Sequence, residues 1–289
     1  MKKSVLFICA DQWRWDCFGF MGHKNAHTPN IDKLVSRSTA FRKHFTGIVP
    51  CGPARTTMLT GLYPFIHRSV CNGTPLDNRF TNLPLEARKL GYQPSLYGYT
   101  DTSYDPRGLE DNDPRLFTYE SPMNGFDPVC LLPESNPEPW AEHLRQHGYE
   151  VGNSHDLYSS KTPKKGEGFV YKAWEIPTEL SDTSFLADRA AADLQKVKEP
   201  FFMHVSFLRP HPPMFVSEPW HSLIDPNSID PPIARKTKQE MADHHPVLKN
   251  MMAKYDEKNS YPMEINFPDL TDQDISRIQA VYLGMCAEV

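Results

Sequence analysis

The chain has 289 residues, enough for one large domain or two ordinary ones with a substantial core. Charged residues make up 23%, hydrophobic residues 39% and aromatic residues 11%, which excludes a disordered chain, a collagen and a membrane bundle. Lysine and arginine number 31 against 36 acidic residues, so the net charge is −5 and no global basic field invites nucleic acid.

The opening segment, MKKSVLFICADQW, places two lysines before an apolar run, as a secretory signal would. Val5–Ala10 is too short for that, no small-residue cleavage site follows, and Asp11 closes it. It reads instead as a parallel strand buried on both faces. Thr28-Pro29 then caps a helix carrying Ile31, Leu34, Val35 and Ser38 at helical spacing. A short extended piece at Ala40–Phe45 precedes a short helix from Pro53 to Thr60, stopped by Gly61. Leu83–Leu90 is the next helix, and Pro94–Tyr99 the next strand.

From about Asp101 to Glu179 the chain is rich in Pro, Gly, Asn and charge. It reads as a long surface excursion with one short helix at Pro139–His147. An amphipathic helix from Thr183 to Lys198 is broken by Pro200, and Phe201–Leu208 is a strongly apolar strand. A proline-rich loop leads to Thr271, where a capping-box start opens a helix with Ile275, Ile278, Tyr282, Met285 and Val289 on one stripe. That stripe runs to the last residue without a stop signal, as in a truncated chain.

Strands alternating with helices predict an α/β fold: an open, mainly parallel sheet with helices on both faces. Ligands in such folds sit beyond the carboxyl ends of the strands. Asp11-Gln12, Thr100-Asp101, and Arg209 with His211 follow the three best strands, so they should converge on an anion or metal site. The 27 prolines against 15 glycines make the intervening loops rigid. No stretch approaches the roughly 20 apolar residues of a membrane helix, and a cytoplasmic protein is expected. The six cysteines include no CxxC pair, which points away from a zinc ribbon or a dense disulfide frame.

The segment PCGPARTTMLTG, residues 50–61, carries the strongest chemical signal. It sets Cys51 before a helix start, where free amides and the helix dipole favour an anion and should lower the thiol pKa. Arg55 is near enough to reach the same anion. A thiolate phosphatase loop needs arginine at position 57, which is threonine, and a thioredoxin centre needs cysteine at position 54, which is alanine. What remains is Cys-x-Pro-x-Arg with a Leu-Thr-Gly ending. Cysteine, proline and arginine at these spacings would arise by chance in roughly one chain in a hundred of this length.

Those residues, with VLFICADQWRWD, HTPNIDKL, NGTPLD, GYTDT, DPR and FLRPHPP, carry a resemblance over nearly the whole chain. It resembles the sulfatase family of the alkaline phosphatase superfamily, closest to bacterial phosphonate monoester hydrolases and phosphodiesterases, with arylsulfatases next. The resemblance implies that residues 1–289 form the N-terminal part of a sulfatase-type hydrolase domain with an alkaline-phosphatase-like sheet. Cys51 would be oxidised to formylglycine by a formylglycine-generating enzyme. Its hydrate would be both nucleophile and ligand to one divalent metal (calcium, manganese, magnesium or zinc). Asp11 matches the first metal carboxylate. Gln12 stands where many sulfatases carry a second aspartate, as in the phosphonate-hydrolase branch. Arg55 matches the arginine that holds the hydrate and the motif loop. Asn72, Tyr99 and His211 match positions contacting the substrate anion or leaving group. Asp101 departs from the pattern, which has threonine there.

The implied activity is hydrolysis of small anionic sulfate, phosphonate or phosphate esters, with no nucleic-acid or membrane partner and with homo-oligomerisation left open. One hydroxyl of the hydrate attacks sulfur or phosphorus; the other then loses its proton as the ester collapses back to the aldehyde. The family's downstream Asp-His ligands and lysine find no match. That leaves Asp11 and modified Cys51 as metal ligands and implies an exposed sheet edge. The alternative is an inactive fragment or an anion-binding pseudoenzyme. Structural readings also stand: Asp11 as a turn cap, Asn72-Gly73 as a turn pair, His211 as a loop residue held by prolines, His244-His245 as a solvated stretch, and Cys9 and Cys286 as packing residues.

Overall fold

The computed structural model describes residues 2–159, 171–231, 237–250, 253 and 270–289. At its centre is a four-stranded sheet in the order β1-β4-β2-β3, with every pair parallel. The strands are β1 (Val5–Ala10), β2 (Pro94–Gly98), β3 (Asp127–Leu131) and β4 (Phe202–Phe207). The described helices that matter here are α1 (Pro29–Val35), α2 (Cys51–Thr60), α3 (Pro64–His67), α4 (Leu83–Lys89), α5 (Glu138–Gln146), α6 (Asp156–Ser159), α7 (Asp182–Leu194), α8 (Lys238–His244) and α9 (Asp272–Glu288).

The period-2 alternation of β4 decides which helices lie on which face. Met203, Val205 and Phe207 pack with Trp140 and Leu144 of α5 and with Phe185, Leu186 and Ala190 of α7. Phe202 points the other way, into a layer with Leu59 of α2, Ala87 of α4 and Leu96 of β2. Helices between β1 and β2 thus cover one face, and helices after β3 cover the other. The helices start where side chains can replace missing backbone partners. Asn82 accepts from Leu85 N–H at 3.0 Å ahead of α4, and Ser181 accepts from Ser184 N–H at 3.1 Å ahead of α7. Thr271 and Asp274 close a reciprocal capping box on α9. Strands β2 and β4 approach closely because residue 98 is glycine: at φ 94° an added Cβ would lie 1.9 Å from the Ser206 carbonyl oxygen.

Several sequence expectations change. β1 is not covered on both faces; it is the outer strand, and Val5, Leu6 and Ile8 are 37%, 44% and 56% exposed. Its apolar run lies at an outer edge of the sheet. Ala40–Phe45 forms no strand and contains a turn at residues 42–43. α2 begins at Cys51, two residues before Pro53. The excursion after Asp101 is more than a surface loop. It returns as β3 on the outside of β2, and it supplies the fully buried Met123, Trp140 and Leu144. Pro128 masked β3, since proline removes a ladder donor, and it is tolerated because β3 is an edge strand. Part of the proline-rich loop before Thr271 lies outside the described residues. His244 and His245 are exposed, and Cys286 is buried on α9 beside Cys17, as packing residues. Among the described residues no helix is long and apolar enough to cross a membrane.

His204 sits inside β4, stacked on Phe7 with ring centroids 4.7 Å apart, and its Nδ1–H donates to the Phe7 carbonyl at 2.9 Å. Burial, against a smaller opposing effect of that hydrogen bond, pushes its pKa down to about 4. The unfolded chain, with a histidine pKa near 6.5, therefore binds more protons than the folded one between about pH 4 and 6.5. Stability from this group is complete above pH 6.5 and lost as pH falls toward 4, by on the order of 3 kcal/mol. Urea unfolding at pH 5 and pH 7.5 should show a markedly smaller acid destabilisation in His204→Phe than in the parent chain.

Candidate active site

Three strand ends and one helix start meet at one point. β1 delivers Asp11, β2 delivers Tyr99 and Asp101, the loop after β4 delivers His211, and α2 begins with Cys51. A ligand atom from each of Asp11, Cys51 and His211 lies within 4.8 Å of the other two. Asp11 and Cys51 are neighbours, as the resemblance required.

Arg55 occupies the centre of the arrangement. It projects from the first turns of α2 into the sheet and is buried. Nη2 donates to Asp11 Oδ2 at 3.3 Å, and Nε faces Asp101 Oδ2 at 3.6 Å. Nη1 donates to the Tyr99 carbonyl at 3.1 Å and to Ser206 Oγ at 2.8 Å. The guanidinium also lies 4.3 Å from the centre of the Tyr99 ring, while the Tyr99 hydroxyl donates to Asp11 Oδ2 at 2.6 Å. Arg55 is thus a clamp on three strand ends, with a partner facing each of its nitrogens. Tyr99 likewise points into this clamp.

Asn72 holds the start of α2. Proline at the N-cap offers no side-chain acceptor, so Asn72 Oδ1 takes the Gly52 N–H at 2.9 Å from a remote loop. Its Nδ2 donates to Cys51 Sγ at 3.4 Å. Gly52 leaves the room for this: a Cβ there would meet Asn72 Oδ1 at 3.0 Å and the Asp101 carbonyl oxygen at 3.2 Å. The turn-pair reading of Asn72-Gly73 therefore understates what the asparagine touches. Gln12 is exposed directly after Asp11, at φ 57°, with its carbonyl accepting from the Tyr282 hydroxyl of α9 at 2.6 Å. His211 Nδ1 bonds the Pro212 carbonyl at 2.7 Å. A carbonyl only accepts, so Nδ1 carries the proton and Nε2 is the nitrogen left for chemistry.

The electrostatics correct one expectation. Burial first, then the charges of Asp11 and Asp101, push the Cys51 thiol up to about 11. The helix start does not make a thiolate here, because burial, and after it two nearby carboxylates, oppose it. Burial works to raise Asp11, but Arg55, His211 and the Tyr99 hydrogen bond together hold its carboxyl below the usual range. Asp101, which departs from the family pattern, is pushed up to about 7, chiefly by burial and against the pull of Arg55. Its charge is thereby muted near neutral pH, where it faces both Arg55 and Cys51.

Arg209, expected to join this cluster, does not. Its Nε faces Asp182 at 3.3 Å, Nη1 donates to the Pro213 carbonyl at 2.8 Å, and the guanidinium lies 4.7 Å from the Phe215 ring. It is a buried tie between the loop after β4 and α7. Ser206 was missed in the sequence. The available signal was a hydroxyl inside an otherwise apolar strand, on the same face as His204, two residues away.

The sulfatase family model matches residues 3–261. The chain belongs to the sulfatase family, within the alkaline phosphatase superfamily of hydrolytic enzymes, and its architecture is that superfamily's. It is 35% identical to the multifunctional alkaline phosphatase superfamily protein PehA of Trinickia caryophylli, over 100% of this chain and 57% of that protein. The phosphonate monoester hydrolase of Agrobacterium radiobacter superposes with a TM-score of 0.89 at 39% identity, over 99% of this chain and 57% of that one. The phosphonate monoester hydrolase SpPMH of Silicibacter pomeroyi superposes with a TM-score of 0.88 at 37% identity, over 100% of this chain and 57% of that one. The chain thus spans 57% of the length of these relatives.

Removing the clamp should be costly, because it strands the buried, ionised Asp11 carboxylate. Arg55→Met is expected to destabilise the fold by about 3–5 kcal/mol in urea unfolding. Adding Asp11→Asn to that variant should recover part of the loss, since the stranded carboxylate is then replaced by a neutral amide.

Proposed function

We propose that this chain carries the nucleophile-bearing part of a metal-dependent hydrolase acting on small sulfate, phosphonate or phosphate esters, with Cys51 oxidised to formylglycine. One observation carries the reading: the ligand atoms of Asp11, Cys51 and His211 gather within 4.8 Å at the carboxyl end of the sheet. The donors suit a divalent cation. Asp11 is a hard oxygen ligand whose carboxyl is held in its ionised form, and position 51 stands beside it. When bound, a cation there would neutralise the ester oxygens and acidify a neighbouring hydroxyl.

The chain's own residues do the rest. An unmodified thiol pushed up to about 11 is almost wholly protonated near neutral pH, a poor starting point for thiol catalysis. A formylglycine hydrate would instead offer two hydroxyls from the same backbone position, one to attack and one to expel the product. Asn72, already against Cys51 Sγ, is placed to donate to an anionic ester oxygen. Arg55 and Tyr99 position Asp11 from behind. His211 Nε2, when it carries a proton, can give it to the departing alkoxide. Gln12, exposed beside Asp11, is assigned to the outer rim of the substrate site. A formylglycine-generating enzyme is the required partner.

After coexpression with such an enzyme, the tryptic peptide containing position 51 should be lighter than its cysteine form and reactive toward a hydrazide probe. With a phosphonate or sulfate ester, Cys51→Ala should abolish turnover, and Asp11→Asn should lower bound metal and turnover together. His211→Asn should keep the metal and lower kcat by about 10²–10⁴, most for poor leaving groups. An unmodified peptide, and a parent chain that binds no metal and turns over neither ester, would leave the pseudoenzyme reading.

A further inference from the structure

We propose that the cleft between residues 73–75 and 103–106 on one side and residues 115–119 on the other receives an uncharged aromatic group, the alcohol portion of the ester, and that Phe117 sets this preference. The inference rests on the hydrolase reading for its role but not for the existence of the site.

The cleft encloses about 360 Å³, within the ~300–1,000 Å³ common for small-molecule sites. Two of its lining residues come from chain segments that also supply the candidate active site. Gly73, which lines it, follows Asn72, whose amide reaches Cys51 Sγ at 3.4 Å. Ser103, which also lines it, comes two residues after Asp101. These two segments form one wall, joined by a bridge between Pro75 and Ser103 and by Leu76 N–H donating to the Ser103 carbonyl at 3.0 Å. The wall of the cleft is thus continuous in the chain with the residues that hold Cys51.

The lining states what that group should be. Three aromatic rings, Tyr104, Phe117 and Tyr119, face the space. Tyr104 is fixed by its hydroxyl, which donates to the Pro122 carbonyl at 2.9 Å. Arg115 is the one cation of the lining, and it is already held by Asp113 through Nε at 2.9 Å and Nη2 at 2.6 Å, with its guanidinium 5.1 Å from the centre of the Tyr104 ring. A second anion would gain little there. Phe117 is 76% exposed, so its ring has a face available to a flat ligand.

4-Fluorophenol reads the cleft without any ester bond to cleave. In titrations followed by fluorine NMR the parent chain should bind it saturably. Phe117→Ala should weaken binding about fivefold, the scale of one aromatic contact. Phe65→Ala, which removes another exposed ring outside the cleft, should leave it unchanged, and ethanol should not compete. Equal binding by Phe117→Ala and the parent, equal losses in the two variants, or displacement by ethanol would each overturn the proposal. Turnover of phenyl and methyl esters of one phosphonate separates the two readings. If Phe117→Ala raises KM for the phenyl ester alone, the role in catalysis is supported. Phenol binding through Phe117 with no turnover of either ester rejects the hydrolase reading and keeps the aromatic site. Turnover without phenol binding does the reverse.

Discussion

A single buried guanidinium organises the end of this molecule where the chemistry gathers. Arg55 bonds the carboxyl-terminal ends of β1, β2 and β4 at once, through Asp11, the Tyr99 carbonyl, Asp101 and Ser206. Burying such a charge is unfavourable unless it is neutralised and hydrogen-bonded, and here it is both. The consequence is geometric. Once Arg55 is seated, α2 must start at the sheet's edge of charge, and Cys51 must stand beside Asp11. Arg55 thus ties the start of α2 to three strand ends that the sheet pairing already aligns, and Asn72 fixes the same helix start from its other side.

The same clamp divides the labour of the two aspartates. Asp11 receives Arg55 and the Tyr99 hydroxyl, and its carboxyl stays ionised. Asp101 has the weaker geometry toward Arg55 and is pushed up to about 7, mainly by burial. Two carboxylates near one arginine thus end in different states. Asn72 completes the frame from the other side by tying Gly52 N–H and Cys51 Sγ to a separate loop.

The outlying parts follow ordinary packing rules. α5 and α7 bury one face of the sheet with Trp140, Leu144, Phe185 and Leu186, while α2 and α4 cover the other through Leu59 and Ala87. α9 reaches across to the turn after β1, where Tyr282 receives the Arg14 N–H at 2.7 Å and donates to the Gln12 carbonyl at 2.6 Å. β1 keeps Val5, Leu6 and Ile8 exposed at one edge of the sheet, and Val129 of β3 is exposed at the other. The chain spans 57% of the length of the relatives it matches.

Local pattern in the sequence was enough to determine the parallel α/β plan, the positions of β1, β2 and β4, the principal helices, and the convergence of Asp11, Asp101 and His211. It was enough because apolar runs, caps and prolines act over a few residues, and because strand ends in such a sheet share one side. The motif at Cys51 carried the family. Only the tertiary structure decided the order β1-β4-β2-β3, which leaves β1 exposed, and the return of the excursion as β3, hidden by Pro128. It alone sent Arg209 to Asp182 and Arg55 into the sheet, two arginines with the same local prospects. The thiol's pKa was settled the same way. A helix start argues for a lower value, but burial and two carboxylates from distant parts of the chain outweigh it. Those effects depend on which groups meet in space, and a one-dimensional pattern does not encode that distance.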